Sequence, residues 1–218
     1  MLKTTVSASV LNADLSRLAE AAAFVEASGA DMLHFDVMDG CFVDNISFGL
    51  PVLECLRKAT ALPIDTHLMI RDPLHFVKRF ADAGADLLSF HIESDSDAAE
   101  TVREIHGCGL HAGIALSPDT PVNLVYPLLS MLEPDDFVLL MTVQPGLGGQ
   151  SFMPHVLEKI RMLRERIDRK SYQLHIEVDG GINEATAAQC REAGADYLVS
   201  GSYLFLAEDA KRNVQLLR

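Results

Sequence analysis

The segment AGADLLSFH, residues 83–91, decides the fold that we predict for this chain. A helix can end at its glycine, which readily adopts the left-handed backbone conformation common at helix C-termini. An apolar strand begins two residues later. The same phrase recurs as SGADMLHFDVM at residues 28–38 and as AGADYLVSGS at residues 193–202. The copies recur at multiples of two strand–helix steps, so the chain repeats one supersecondary unit.

Working outward from these copies, we find strand patterns alternating with helical patterns along the whole chain. The predicted strands are residues 4–10, 31–38, 63–69, 86–91, 110–116, 136–142, 172–178 and 196–200. The predicted helices lie near residues 14–28, 48–59, 73–83, 96–107, 120–132, 153–168, 184–193 and 207–217. This alternation predicts an α/β fold, a single-domain (β/α)8 TIM barrel over residues 1–218.

A doubly wound open sheet is the competing architecture. It would place a G-x-G-x-x-G motif after the first strand, and the chain has none there. Its glycine clusters follow strands six, seven and eight instead, which favours the barrel.

Composition excludes several classes of partner. The formal net charge is −13, so we expect neither nucleic-acid nor membrane binding. The four cysteines are far apart in sequence, which predicts reduced thiols and a cytoplasmic protein. They are Cys41, Cys55, Cys108 and Cys190.

Metal-ligating residue types stand at the ends of three predicted strands. His34 and Asp36 end strand two, and alternate residues on a strand share a face. His67 ends strand three and Asp179 ends strand seven. Because strand ends meet at one rim of a barrel, we predict that these four side chains hold one divalent cation. Two imidazoles and two carboxylates suit Zn²⁺, Fe²⁺, Mn²⁺ or Co²⁺ about equally.

Two further polar residues lie near this predicted cluster. His91 ends strand four, and the sequence is equally compatible with a packed histidine and with one that faces the site. Glu177 lies deeper on the face of Asp179, and we expect it to orient a ligand by hydrogen bonding.

The glycine clusters predict a binding site for a phosphate group. They lie at residues 144–150, 179–181 and 200–202, on one rim of the predicted barrel. Glycine allows backbone N–H groups to approach an anion closely, and barrels often bind phosphate after strands seven and eight. Such a site needs no Lys or Arg, in agreement with the acidic composition.

Methionines end strands two, three and six, at Met38, Met69 and Met141. Core packing and a soft apolar cover over a planar intermediate fit these positions equally. A cation beside two carboxylates suits proton abstraction next to a carbonyl, with the cation stabilising an enediolate. One carboxylate removes a proton and the other returns one to the opposite face.

At these residues the sequence resembles the ribulose-phosphate 3-epimerase family over essentially its whole length. Seven motifs match in order: SASVLNADLSRL, HFDVMDGCFVDNISFG, DTHLMI, FHIE, LLMTVQPGLGGQSF, IEVDGGI and SGSYLF. The similar allulose-6-phosphate 3-epimerases share most of them.

The resemblance implies a role for each matching residue. Metal ligands are implied at His34, Asp36, His67 and Asp179, with Asp36 as proton acceptor and Asp179 as proton donor. Substrate contacts are implied at Ser9, His67, Met38, Met69, Met141, Gly146, Leu147, Gly148, Gly149, Gly180, Gly181, Gly201 and Ser202. The resemblance also implies Zn²⁺ or Fe²⁺ as the usual cation and a homo-oligomer, either a dimer or a hexamer.

The implied reaction inverts C3 of D-ribulose 5-phosphate to give D-xylulose 5-phosphate in the pentose phosphate pathway. The chain departs from the family pattern at Cys41, Asp44, Ile92 and Leu147. Because we expect Cys41, Asp44 and Leu147 to lie at the lip of the pocket, D-allulose 6-phosphate is an alternative substrate. A non-catalytic phosphate-binding barrel is a second alternative, against which the paired acids Asp36 and Asp179 argue.

Overall fold

The computed structural model describes residues 4–218, and within that range eight parallel strands close into one barrel in chain order. The strands are β1 (Thr5–Ser9), β2 (Met32–Met38), β3 (Ile64–Met69), β4 (Leu87–His91), β5 (His111–Leu116), β6 (Phe137–Met141), β7 (His175–Asp179) and β8 (Tyr197–Ser200). This confirms the predicted barrel and excludes the open sheet, because β8 pairs with β1. Among the strands, the largest difference between a predicted and an observed boundary is at β7, which begins at His175 and not at residue 172.

Helices cover the outside of the barrel. They are α1 (Leu18–Ser28), α2 (Leu50–Ala59), α3 (Val77–Ala83), α4 (Ala98–Gly107), α5 (Val156–Lys170), α6 (Glu184–Ala193), α7 (Ser202–Phe205) and α8 (Ala210–Leu217). The short helix α7 was not predicted. Within the described part of the chain, no helix is long and apolar enough to span a membrane.

The helix predicted near residues 120–132 is wrong. This segment forms only two 3₁₀ turns, Val122–Leu124 and Leu129–Met131. Pro127 stands between them, where it has no N–H to donate and its ring would clash with the preceding turn of an α-helix. The apolar spacing was helical, but this proline interrupts it.

The barrel interior is apolar on one side and polar on the other. Strands β4 to β6 contribute an apolar cluster that includes Leu87, Phe137 and Leu139. The Phe137 ring fills the space beside Gly113, where any Cβ would overlap it. The polar side comes mainly from β1, β2, β3 and β7, and it is where the candidate site begins.

The amino-terminal ends of the strands are tied by four aspartates, which we call the aspartate ring: Asp31, Asp86, Asp136 and Asp196. Each stands just before an even-numbered strand, and its carboxylate accepts a backbone N–H near the start of the preceding odd-numbered strand. The donors are Val6, Ile64 and Ala112 at 2.8 Å and Ile176 at 2.7 Å. Three members are the aspartates of the repeated phrase, so the phrase encodes a strand-to-strand bond as well as a helix end.

Candidate active site

The four predicted ligand residues converge at the carboxyl-terminal end of the barrel. In the register between β2 and β3, Asp36 lies beside His67. Together with His34 and Asp179, each residue offers one ligand atom, and these atoms all lie within 4.8 Å of one another. His34, Asp36 and His67 are buried, and Asp179 is partly buried.

Hydrogen bonds hold these side chains in defined orientations. His34 Nε2 and His67 Nδ1 lie 3.2 and 3.3 Å from Asp36 Oδ1. The Ser9 hydroxyl donates to Asp36 Oδ2 at 2.8 Å. Both oxygens of Asp36 are therefore engaged, one by the hydroxyl and one by the two imidazoles.

Asp65 orients His34, and the sequence analysis missed this residue. His34 Nδ1 lies 2.6 Å from Asp65 Oδ2. The expected orienting residue, Glu177, has two buried oxygens that accept no hydrogen bond from the residues described. The signal for Asp65 was available, since it stands two residues before His67 on the same strand face.

The residues present fit a divalent cation. Around a tetrahedral ion with bonds of about 2.0 Å, neighbouring ligand atoms are separated by about 3.3 Å. The distances of 3.2 and 3.3 Å from Asp36 Oδ1 to the two histidine nitrogens have this value. The donor set of two nitrogens and two carboxylates suits first-row divalent ions without selecting among them.

Burial and mutual charge separate the pKa values of the two candidate acids. Burial opposes the charged form of Asp36, but His34 and His67 outweigh it and hold the pKa of Asp36 well below its usual range. Burial, followed by the charge of Asp36, raises the pKa of Asp179 to about 7. Burial lowers the pKa of His67 to about 4. Two acids with pKa values pushed apart are typical of sites that accept and donate protons.

A cavity of about 500 Å³ opens beside the cluster. This volume lies within the usual range for small-molecule sites. Asp36 and Asp179 form part of its wall, whereas His34 and His67 are fully buried behind it. The other predicted contact residues that line it are Ser9, Met38, Met69, Met141, Gly146, Leu147, Gly148, Gly149, Gly180, Gly181, Gly201 and Ser202.

Glycine is required where backbone segments crowd the cavity. Gly181 has φ +65°, and a Cβ there would lie 2.8 Å from the backbone nitrogen of Phe152. Gly201 packs against Asn12 and Ser9, leaving no space for a side chain. The sequence analysis assigned no role to Asn12, which lines the cavity, although it lies in a matched motif.

Of the three residues that depart from the family pattern and were expected at the lip of the pocket, only Leu147 lines the cavity. It is 64% exposed. Cys41 and Asp44 are also exposed but are not among the cavity-lining residues. Nearby, the Asn45 amide donates to the Gly146 carbonyl at 2.8 Å and so joins the loop after β2 to the glycine loop after β6.

Comparisons with known proteins agree with this geometry. The sequence model of the ribulose-phosphate 3 epimerase family matches residues 5–205. The ribulose-phosphate 3-epimerase of Bacillus subtilis is 44% identical, covering 98% of this chain and 97% of that protein. The enzyme of the same name from Mycobacterium tuberculosis is 44% identical over 98% of this chain and 91% of its own length.

Similarity to solved structures extends to the fold. KGPDC from Streptococcus mutans superposes with a TM-score of 0.73 at 15% identity, covering 100% of this chain and 96% of that one. At this identity the likeness concerns the barrel alone.

Proposed function

Because this chain belongs to the ribulose-phosphate 3-epimerase family, we propose that it inverts C3 of D-ribulose 5-phosphate to give D-xylulose 5-phosphate. The chain is thus an epimerase. The observation that carries the proposed substrate chemistry is the position of Asp36 and Asp179, which share one metal-ligating cluster and one cavity wall.

Asp36 is the proposed proton acceptor. The C3–H bond breaks, its proton goes to the carboxylate, and the electron pair moves into a C2–C3 double bond as charge develops on the C2 oxygen. Ser9 holds the second oxygen of Asp36, so one carboxylate oxygen is fixed while the other lies among the ligands.

Asp179 is the proposed donor to the opposite face of C3. It comes from β7, whereas Asp36 comes from β2, so the two acids reach the cavity from different strands. Delivery of a proton by Asp179 inverts the centre, and the reverse reaction exchanges the two roles.

His34, Asp36, His67 and Asp179 are the proposed holders of a divalent cation, of which Zn²⁺ and Fe²⁺ are favoured and Mn²⁺ and Co²⁺ also suit the donors. When bound, such a cation polarises the carbonyl and stabilises the developing negative charge.

Met38, Met69 and Met141 line the cavity and are almost fully buried. We assign them the exclusion of water from the planar intermediate, a role that soft apolar side chains can perform. The segments 146–149, 180–181 and 201–202 are the proposed phosphate contacts, through backbone N–H groups instead of cationic side chains.

The test is a comparison of two substrates in the chelator-treated and metal-reconstituted protein. We expect D-ribulose 5-phosphate to be turned over with much higher kcat/KM than D-allulose 6-phosphate, and we expect chelation to remove the activity and a divalent cation to restore it. A large preference for the hexulose phosphate would contradict the proposed substrate. Full activity after chelation would contradict the role of the cation.

Leu147→Phe tests whether the residue at the lip of the cavity sets the preference between the two substrates. If Leu147 sets the space available to the substrate, this change alters the ratio of the two kcat/KM values and leaves cation affinity unchanged. The homo-oligomeric state, as a dimer or hexamer, and the cytoplasmic location stay predictions from the sequence.

A further inference from the structure

Behind the candidate ligand His67 lies a chain of hydrogen-bonding groups that the proposed reaction does not use. His67 Nε2 lies 3.0 Å from His91 Nε2, and His91 Nδ1 lies 3.1 Å from Glu93 Oε2. His67 and His91 are fully buried. The direction of the hydrogen bonds along this chain determines which nitrogen of His67 is free.

Glu93 is the fixed end of the chain. Its Oε1 accepts the Ser117 N–H at 2.8 Å and the Thr120 hydroxyl, while Oε2 faces His91. Burial favours the neutral acid, but hydrogen bonds from His91, Thr120 and Ser117 outweigh it and lower the pKa of Glu93 to about 2. Glu93 is therefore an anion that can only accept hydrogen bonds.

This acceptor sets the tautomer of His91. Because a carboxylate has no proton to give, His91 Nδ1 carries the hydrogen on that side, which leaves Nε2 as the nitrogen that can accept one. Contact with the Phe42 ring, whose centroid is 4.7 Å away, holds the imidazole in this orientation.

The same reasoning passes to His67. Its Nε2 and that of His91 face each other and need one hydrogen between them. His91 Nε2 is the acceptor, so His67 supplies the hydrogen from its own Nε2. With a cation in the cluster, His67 Nδ1 keeps its lone pair for the ion, whereas without one Nδ1 competes for the hydrogen because it faces Asp36. That nitrogen faces Asp36 Oδ1 at 3.3 Å, inside the ligand cluster.

We propose that His91 and Glu93 are positioning residues that fix His67 as the Nε2–H tautomer and so present its Nδ1 lone pair to the cation. This inference rests on the proposed metal site, since a bound cation is what takes the His67 Nδ1 lone pair that otherwise faces the Asp36 carboxylate. The inference gives His91 a role at the site, where the sequence was equally compatible with a packed histidine. It also adds Glu93 to the residues of the site. Asp65 serves His34 in a comparable way from the other side.

The direct test is the tautomer of His67 and His91 in the full chain loaded with Zn²⁺. Long-range ¹H–¹⁵N NMR spectra distinguish a protonated imidazole nitrogen from a bare one. Near pH 8 we expect hydrogen on His67 Nε2 and His91 Nδ1, and none on His67 Nδ1. A hydrogen on His91 Nε2 in place of His91 Nδ1 would overturn the inference without touching the proposed epimerase activity.

The functional test is Co²⁺ affinity, measured by its visible absorption in competition with a chelator. Loss of an orienting partner typically weakens metal binding by about 10- to 100-fold, and we expect this for His91→Phe, which keeps the ring packing. His91→Gln retains an oxygen that can accept from His67 and should restore most of the affinity. Glu93→Met should weaken binding as His91→Phe does, and it serves if the buried variant fails to fold.

His106→Phe is the matched control, because His106 is another histidine bound to a carboxylate, Asp136, but at the opposite end of the barrel. We expect its Co²⁺ affinity to equal that of the wild type. Equal losses of Co²⁺ affinity in His91→Phe and His106→Phe would overturn the proposed positioning role. Unchanged Co²⁺ affinity in the His91 and Glu93 variants would overturn it as well. Failure of the wild type to bind Co²⁺ would instead overturn the proposed metal site.

Discussion

Asp136 and Asp179 lie at opposite ends of the barrel and have opposite surroundings. At the amino-terminal end, Asp136 accepts backbone N–H groups from Ala112 and Glu133 at 2.8 Å and faces His106 Nε2 at 2.7 Å. At the carboxyl-terminal end, the side chain of Asp179 accepts no hydrogen bond from residues 4–218. Asp136 thus stabilises the fold, whereas Asp179 keeps its capacity for a ligand or a proton.

Several buried polar atoms inside the barrel also lack a partner. Both oxygens of Glu177, one oxygen of Asp65 and the hydroxyls of Ser7 and Ser89 are buried without a partner among the described residues. Each such group costs about 1–3 kcal/mol unless water or an ion satisfies it.

The largest effect should come from removing either acid at the carboxyl-terminal end. Asp36→Asn and Asp179→Asn should each reduce solvent deuterium incorporation at C3 by about 10²- to 10⁴-fold, because an amide cannot carry the proton. Asp31→Asn, in the aspartate ring, is the control and should exchange at the wild-type rate. Exchange at the wild-type rate in both site variants would refute the mechanism with two acids.

An intermediate effect, on stability, should come from the other end. Asp136→Asn places an amide where three donors converge, so we expect a loss of about 1–3 kcal/mol in the free energy of unfolding. For a chain of this size, each kcal/mol corresponds to a decrease in Tm of about 2–4 °C. Asp31→Asn should cost less, since the Asp31 side chain is 29% exposed.

The kcat of folded Asp136→Asn should match that of the wild type. A large fall in kcat with unchanged Tm would contradict the assignment of stability to the amino-terminal end and catalysis to the carboxyl-terminal end.

The smallest effect should be a pH dependence at His175. Burial opposes its charged form, but hydrogen bonds and charge from Asp196 and Asp135 outweigh it and raise the pKa of His175 above its ordinary value. The stabilisation is therefore complete below the ordinary pKa of about 6.5 and is lost as pH rises through the raised value.

Denaturant unfolding of His175→Gln checks this sign. We expect the variant to be less stable than the wild type by about 0.5–1 kcal/mol near pH 6, with a smaller difference near pH 9. The stack of His175 on Tyr197 is lost at both pH values, so it cancels in this comparison. Arg164, which also faces Asp196, is unchanged. If the stability difference between His175→Gln and the wild type grew with pH, the charged form of His175 would not be the source of the stabilisation.

The fold was predictable because its signals are local. Helix ends at glycine and apolar strands after Asp31, Asp86 and Asp196 identified three strands, and the alternating patterns in the intervals supplied the other five. The fourth member of the aspartate ring, Asp136, escaped notice because the Gly-Ala that precedes the other three is absent, and Pro134 and Asp135 stand there. The helical interpretation of residues 120–132 failed because apolar spacing was given more weight than Pro127.

The candidate site was predictable to the extent that strand alternation brings residues together. Alternation and the common rim were enough to group His34, Asp36, His67 and Asp179. Asp65 follows the same rule and was overlooked. Glu93 could not be found this way, because it lies beyond the end of β4 and its direction depends on contacts with Ser117 and Thr120.

The aspartate ring also reinforces alternate junctions between strands. Each of its bonds joins an odd-numbered strand to the next even-numbered one, so four pairs of strands have a side-chain bond in addition to the backbone ladder. The candidate ligands come from three of these pairs: β1–β2, β3–β4 and β7–β8. A cation held by them spans units that the aspartates leave separate. Its binding energy is therefore linked to the cooperativity of the whole barrel, and not to the stability of one pair.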